Sequence, residues 1–177
     1  KGYTNIVYAG NIGLAQEWDL IINLAKEIKE FKITIWIVGE GQRKPYLESK
    51  IIKNELDNIK LLPYYDRKFM PAINLFADIH FIAMNKKVEK YGFPSKVYTI
   101  MASGKPIIVV SSEETPIISF LKDINAALLV TDHSILRFKK ELLKLHNSVD
   151  LRNKLGANGI NEIKEKYNAN IEVKKII

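Results

Sequence analysis

The stretch YGFPSKVYTIMASGKPIIVV, residues 91–110, decides the fold. Its last four residues form an unbroken apolar run, which fits a strand covered on both faces, as in parallel sheets. Pro94 suits the first turn of a helix and Gly104 suits its end, so a helix over 95–103 is predicted to lead through a Gly-Lys-Pro turn into a strand over 106–111. A loop at a helix N-terminus presents free backbone N–H groups, the usual means of holding an anion.

The same rhythm runs outward in both directions. Strands are predicted over 4–10, 32–39, 58–63, 78–84 and 126–130, separated by helices near 15–30, 43–54, 67–76 and 115–122. Leu20, Ile21, Leu24 and Ile28 form one apolar stripe at helical spacing. The tail over 134–177 reads as entirely helical. Strict alternation of apolar strands and helices implies an α/β, doubly wound, Rossmann-like parallel sheet of about six strands, followed by a helical C-terminal tail. Residues 1–177 read as one domain, and the abrupt opening on a strand is that of a piece of a longer protein.

Composition narrows the function. The chain has no cysteine, so neither disulfides nor a thiolate metal site is available. The net charge of +7 comes from lysines dispersed along the chain. The basic run RFKKELLKLH (137–146) is interrupted by an acid and carries no interleaved aromatic cluster, so nucleic acid is not an expected partner. No apolar run reaches the ~18 residues of a membrane span. His80 reads as a sheet-packing residue, and His133 and His146 as residues on exposed ground. No histidine pair has zinc spacing, so no metal site is expected. Ser111 and Ser112 have no evident base. Trp18 and Trp36 read as packing residues.

In a doubly wound sheet ligands bind beyond the carboxyl ends of the strands. That places GNIG (10–13), GEG (39–41), PYYD (63–66), the long loop 85–96 and SSEETP (111–116) on one edge. GNIG alone reads as a tight strand-to-helix turn before it reads as a phosphate loop, because it matches neither G-x-G-x-x-G nor a Walker A sequence. GEG alone is no more specific. Their conjunction with GFPS is what points to a binding edge.

Together YAGNIGLAQEWDLIINLAKE, WIVGEGQRKPYLE, NIKLLPYYDRKFMPAINLFADIHFIAM, FPSKVYTIMASGKPIIV and AALLV resemble, in order, the C-terminal half of retaining, family 4 type glycosyltransferases. The nearest group is the bacterial enzymes of surface-polysaccharide biosynthesis. The resemblance implies a GT-B enzyme with two Rossmann-like halves, of which this chain is the donor-binding one and the N-terminal, acceptor-binding half is missing. It implies a nucleotide-sugar donor, most commonly a UDP-sugar, and no metal or other cofactor. Gly10, Asn11, Gly13 and Gln16 would line the phosphates, Gly39 and Gly41 the neighbouring rim, and Pro63 and Tyr64 the base. Tyr91, Gly92, Phe93, Pro94, Ser95, Lys96 and Thr99 would complete the donor site. Relatives carry Arg and Lys where Asn11 and Gln16 stand, which shifts phosphate neutralisation onto Lys96. The wider family also carries glutamates at the positions of Tyr91 and Thr99, one serving the sugar and the other the ribose diol, and the nearest group often lacks the first but keeps the second. Glu89, two residues before Tyr91, replaces the first only if the loop shifts.

The resulting expectation is the donor domain of a transferase that moves a sugar to a glycan or lipid-linked acceptor and is inactive in isolation, with no catalytic residue identified. A nucleotide-sugar epimerase needs carboxylates and histidines that cannot be placed. A non-catalytic nucleotide- or partner-binding module derived from a glycosyltransferase is the alternative, supported by Thr99. The resemblance further implies a cytoplasmic location, with peripheral attachment at the inner face of the membrane open to the full-length enzyme. The segment 169–177 resembles a helix that crosses back to the missing half.

Overall fold

The computed structural model describes residues 2–167. Six strands alternate with helices: β1 Thr4–Ala9, β2 Ile33–Val38, β3 Ile59–Leu62, β4 Ile79–Ala83, β5 Ile107–Val110 and β6 Ala127–Val130. They form one parallel sheet in the order β3-β2-β1-β4-β5-β6, with β1 at its centre. The chain moves outward from β1 to β3, then returns to β4 beside it. That reversal creates the crevice in which such sheets take their ligands.

The helices are α1 Trp18–Glu27, α2 Lys44–Lys53, α3 Met70–Phe76, α4 Lys96–Ala102, α5 Pro116–Lys122, α6 Ile135–Asn147 and α7 Val149–Lys166, with a 3-10 turn Arg67–Phe69 ahead of α3. Strand side chains divide by the period of two. Ile79, Phe81, Ile108 and Val110 join the core beneath α1, α2 and α6, whereas Ile82, Met84, Ile107 and Val109 join the core beneath α4 and α5. Burial on both faces explains why IIVV carries no polar alternation.

The tail is helical in two pieces, not one. Ser148 ends α6 and caps α7, its hydroxyl accepting from the Leu151 amide at 3.1 Å. A capping serine satisfies a helix-start donor that a continuous helix would not leave open. Residues 169–177, and with them the predicted crossing segment, lie outside the described residues. Helix α1 starts at Trp18 because Gln16 is drawn into a bridge with Met84. Among the described residues no helix is long and apolar enough to cross a membrane.

Candidate functional site

The first loop leaves β1 at Gly10 and is laced to the second. The Gly10 amide donates to Val38 O at 2.9 Å, Ile12 N to Glu40 O at 2.7 Å, and Arg43 N to Ile12 O at 2.9 Å. Glycine is required at the crossing. A Cβ on Gly39 would lie 1.9 Å from Gly10 O, and Gly39 has φ +153°. Gly10 itself sits at φ +143°, and a Cβ there would stand 2.7 Å from Lys96 Nζ. Trp18 closes the loop from below, its indole donating to Gly13 O at 2.7 Å. Asn11 is exposed at the rim and Gly13 is buried.

Lys96 begins α4 but its side chain runs back across the sheet. Its Nζ lies over the Tyr8 ring, 3.6 Å from the centroid, and donates to Ala9 O at 2.9 Å. Burial pushes its pKa down to about 7. Among the described residues no carboxylate pairs with it. A lysine so placed is a cation held without a counter-anion beside a glycine loop, and an incoming anion relieves the cost of burying it.

The other predicted residues fall on the same edge with unequal roles. Gln16 and Asn85 stitch the first loop to the loop 85–95, through the Gln16–Met84 bridge and Asn85 N to Ala15 O at 2.9 Å. Gly41 stacks on the first loop, its position for a Cβ 2.4 Å from Ile12 O. Pro63 and Tyr64 are exposed after β3, and Tyr91 is 91% exposed. Gly92, Pro94 and Ser95 carry the backbone into α4. The Phe93 ring turns inward and packs against Tyr98 and Phe120, with centroids 5.7 and 5.3 Å away. Thr99 is exposed, spends its hydroxyl proton on Lys96 O at 2.9 Å, and shares with Arg67 a cavity of about 500 Å³ between α3 and α4. A separate apolar groove of about 410 Å³, lined by Trp36, Tyr65, Phe69 and Phe76, runs beneath the loop after β3, away from Lys96.

Histidine and serine expectations need correction. His80 is buried as expected, its Nε2 3.1 Å from Asn74 O, and burial lowers its pKa to about 4 against the partly opposing backbone hydrogen bonds. His146 is not on open ground, since its Nδ1 lies 2.8 Å from Thr4 Oγ1. The His133 side chain is only 6% exposed and bonds Glu89 at 2.9 Å. Ser111 and Ser112 do have a base beside them, the Glu89 carboxylate. Glu89 is 2% exposed and turned into the protein rather than toward the position of Tyr91. Burial by itself raises its pKa, but the hydrogen bonds from Ser112 and His133 outweigh that and hold it below the ordinary range. Sequence reasoning missed this cluster.

The fold and its loops define a Rossmann-like α/β domain with a glycine-lined crevice and one buried lysine at the carboxyl edge of its central strand. The family described as Glycosyl transferases group 1 matches residues 1–162, and the chain belongs to it. Over 110 residues, 62% of the chain, it is 27% identical to WcaI of Escherichia coli K12, a protein assigned to colanic acid biosynthesis as a glycosyl transferase. The chain spans 27% of that relative's length. In structure it is similar to Anabaena HepE in complex with UDP-glucose, with a TM-score of 0.82, 12% identity, and coverage of 98% of this chain and 47% of that one. It is also similar to the C-terminal domain of the Francisella tularensis group 1 glycosyl transferase LpcC, with a TM-score of 0.74, 21% identity, and coverage of 94% and 87%. The doubly wound sheet is thus a Rossmann-like α/β sheet of the GT-B fold.

Proposed function

We propose that the chain is the donor-binding half of a retaining, family 4 type glycosyltransferase that moves a sugar from a nucleoside diphosphate, most readily UDP, to a glycan or lipid-linked acceptor of a bacterial surface polysaccharide. One observation carries the reading: Lys96 Nζ, without a paired acid among the described residues, is brought against the glycine loop, where a Cβ on Gly10 would stand 2.7 Å from it. A diphosphate there meets the lysine and the backbone of the glycine loop. The charge it brings lets Lys96 regain its proton in a partly desolvated setting, where a charge-assisted hydrogen bond is strongest. Helix α4 has only seven residues, so the lysine and loop amides, more than a helix dipole, neutralise the phosphates, and no metal or other cofactor is invoked. HepE, a solved structural relative, is seen with UDP-glucose, which favours a uridine donor here. The other half of the enzyme brings the acceptor and catalytic groups, and a location at the inner face of the membrane follows if that acceptor is lipid-linked.

A second reading is a nucleotide- or partner-binding module without transfer activity. It is favoured by the absence of a carboxylate at Tyr91 and Thr99, since Thr99 directs its only proton back to Lys96 O. Calorimetric titration of residues 1–177 with UDP, GDP and uridine tests both. Donor binding predicts that UDP binds at least tenfold tighter than uridine. The absence of any nucleotide binding favours the partner module.

A further inference from the structure

The loop 85–95 holds one buried side chain amid exposed ones. Lys86, Lys87, Val88, Lys90 and Tyr91 all face solvent, while Glu89 is 2% exposed. Its carboxylate accepts from Ser111 Oγ at 3.1 Å, from the Ser112 amide at 2.9 Å, from the Ser112 hydroxyl, and from His133 Nε2 at 2.9 Å. Ser111 and Ser112 follow β5, and His133 follows β6. A single carboxylate therefore joins the loops after β4, β5 and β6 on the ligand edge of the sheet.

Neither a nucleophilic relay nor a metal explains the arrangement. A relay places the imidazole between serine and acid, whereas here the acid lies in the middle and His133 bonds only the acid. Because the ionised carboxylate only accepts, His133 Nε2 must carry its proton. That orientation leaves His133 Nδ1 buried without a partner, and the residue stands at φ +55°. Both cost free energy, so the contact is held by the surrounding structure rather than by local preference.

The remaining anchors of the loop lie at its two ends. Asn85 is bonded to the first loop, and Lys96 reaches to Ala9 O. Besides Glu89, the ten residues between these anchors are held by the Phe93 ring against Phe120, close to α4, and by short-range turns such as Val88 N to Asn85 O and Gly92 N to Val88 O. We infer that Glu89, locked by Ser111, Ser112 and His133, is a positioning residue for the diphosphate: it fixes the path of loop 85–95 and thereby sets where Ser95 and Lys96 meet the phosphates. The inference rests on the donor reading above. It assigns a role to a carboxylate displaced from the position its relatives use, one that acts through the loop and not on the sugar.

Three variants of residues 1–177 test it: Glu89→Ala, Glu89→Gln and His133→Gln. UDP and uridine affinities are measured at a temperature where each variant is folded, and trypsin cleavage after Lys86, Lys87 and Lys90 is followed by mass spectrometry. Displacing a positioned group by about 1 Å costs up to about a hundredfold, so Glu89→Ala is expected to weaken UDP by about 10- to 100-fold. Uridine should change less than about twofold, and loop cleavage should accelerate while cleavage elsewhere does not. Glu89→Gln keeps one acceptor oxygen and the packing, so it should lie between, and it carries the test if the alanine variant fails to fold. His133→Gln restores an N–H donor and should stay within about threefold of the parent. Unchanged UDP affinity in Glu89→Ala and Glu89→Gln, or equal losses for UDP and uridine, overturns the positioning role alone. A parent chain that binds neither ligand overturns the donor reading, and the positioning role with it.

Discussion

Replacing Lys96 tests the reading of the site through both binding and folding. The ammonium lies over Tyr8 with no acidic partner among the described residues, and its pKa falls from 10.5 to about 7 because of burial. Between pH 7 and 10.5 the unfolded chain keeps a proton that the folded domain gives up, so stability of the empty domain rises with pH through that window. A shift of this size corresponds to about 4–5 kcal/mol at most, and attraction to the ring face offsets about 1–2 kcal/mol of it. Lys96→Met removes the buried charge and keeps the stem. It should stabilise the empty domain at pH 7 by about 2 kcal/mol, or about 4–8 °C in Tm. The same change should weaken UDP by about 1.5–3 kcal/mol, roughly 10- to 100-fold, and uridine far less. Bound diphosphate returns the pKa toward its ordinary value, so binding at pH 7 takes up about half a proton and at pH 8.5 nearly a whole one. Affinity should therefore fall about tenfold per unit above pH 7. Calorimetry in buffers of different ionisation enthalpy reads the proton, and chemical denaturation reads the stability. A UDP affinity flat from pH 7 to 9, with no buffer-dependent heat, would refute the assignment of Lys96 to the phosphates.

Other perturbations report on separate parts of the account. Gly39→Ala drives a methyl group into the Gly10 carbonyl, 1.9 Å away. It should cost about 2–4 kcal/mol in urea denaturation and abolish UDP binding, and a cost below about 0.5 kcal/mol would show that the two loops are not locked together. His80 is buried neutral with its pKa lowered from 6.5 to about 4, so stability it contributes above pH 6.5 is lost as pH falls toward 4. That loss amounts to about 3 kcal/mol, and His80→Gln should flatten the dependence of Tm on pH across this window. Thr99→Glu places a two-oxygen acceptor one helical turn from Lys96 and should tighten UDP by about 1–2 kcal/mol, with little effect on a 2′,3′-dideoxy analogue. Equal tightening of the analogue would show that the ribose is not what position 99 faces.

The sheet was legible because each strand carries its own evidence. The run IIVV is apolar on both faces, and Gly104 and Pro106 ahead of it mark where the chain turns. The doubly wound parallel sheet of about six strands that the alternation implies is present, and the structure supplies its order, with β1 at the centre. The break at Ser148 was written locally, as a capping residue ahead of an acid in the first turn, but the apolar period on either side concealed it. The Glu89 cluster could not be read in this way. Glu89 and His133 are 44 positions apart and meet only because β4, β5 and β6 end side by side. Likewise Lys96 reaches Ala9 across 87 positions, so its burial and lowered pKa belong to the fold and not to the segment PSK. Glycines announced where the loops cross closely, whereas the charge states of the groups beside them depended on tertiary contact.

In the proposed donor complex a nucleoside diphosphate lies between the Gly10 loop and Lys96. Mapping backbone amide chemical shifts of residues 1–177 during titration with UDP tests this most directly. The largest changes are expected at Gly10 to Gly13, Gly39 to Gly41 and Ser95 to Val97, with the Lys96 Nζ signal moving as the lysine regains its proton. Changes confined to the apolar groove of Trp36, Phe69 and Phe76, or the absence of change at Gly10 and Lys96 under saturating UDP, would contradict it.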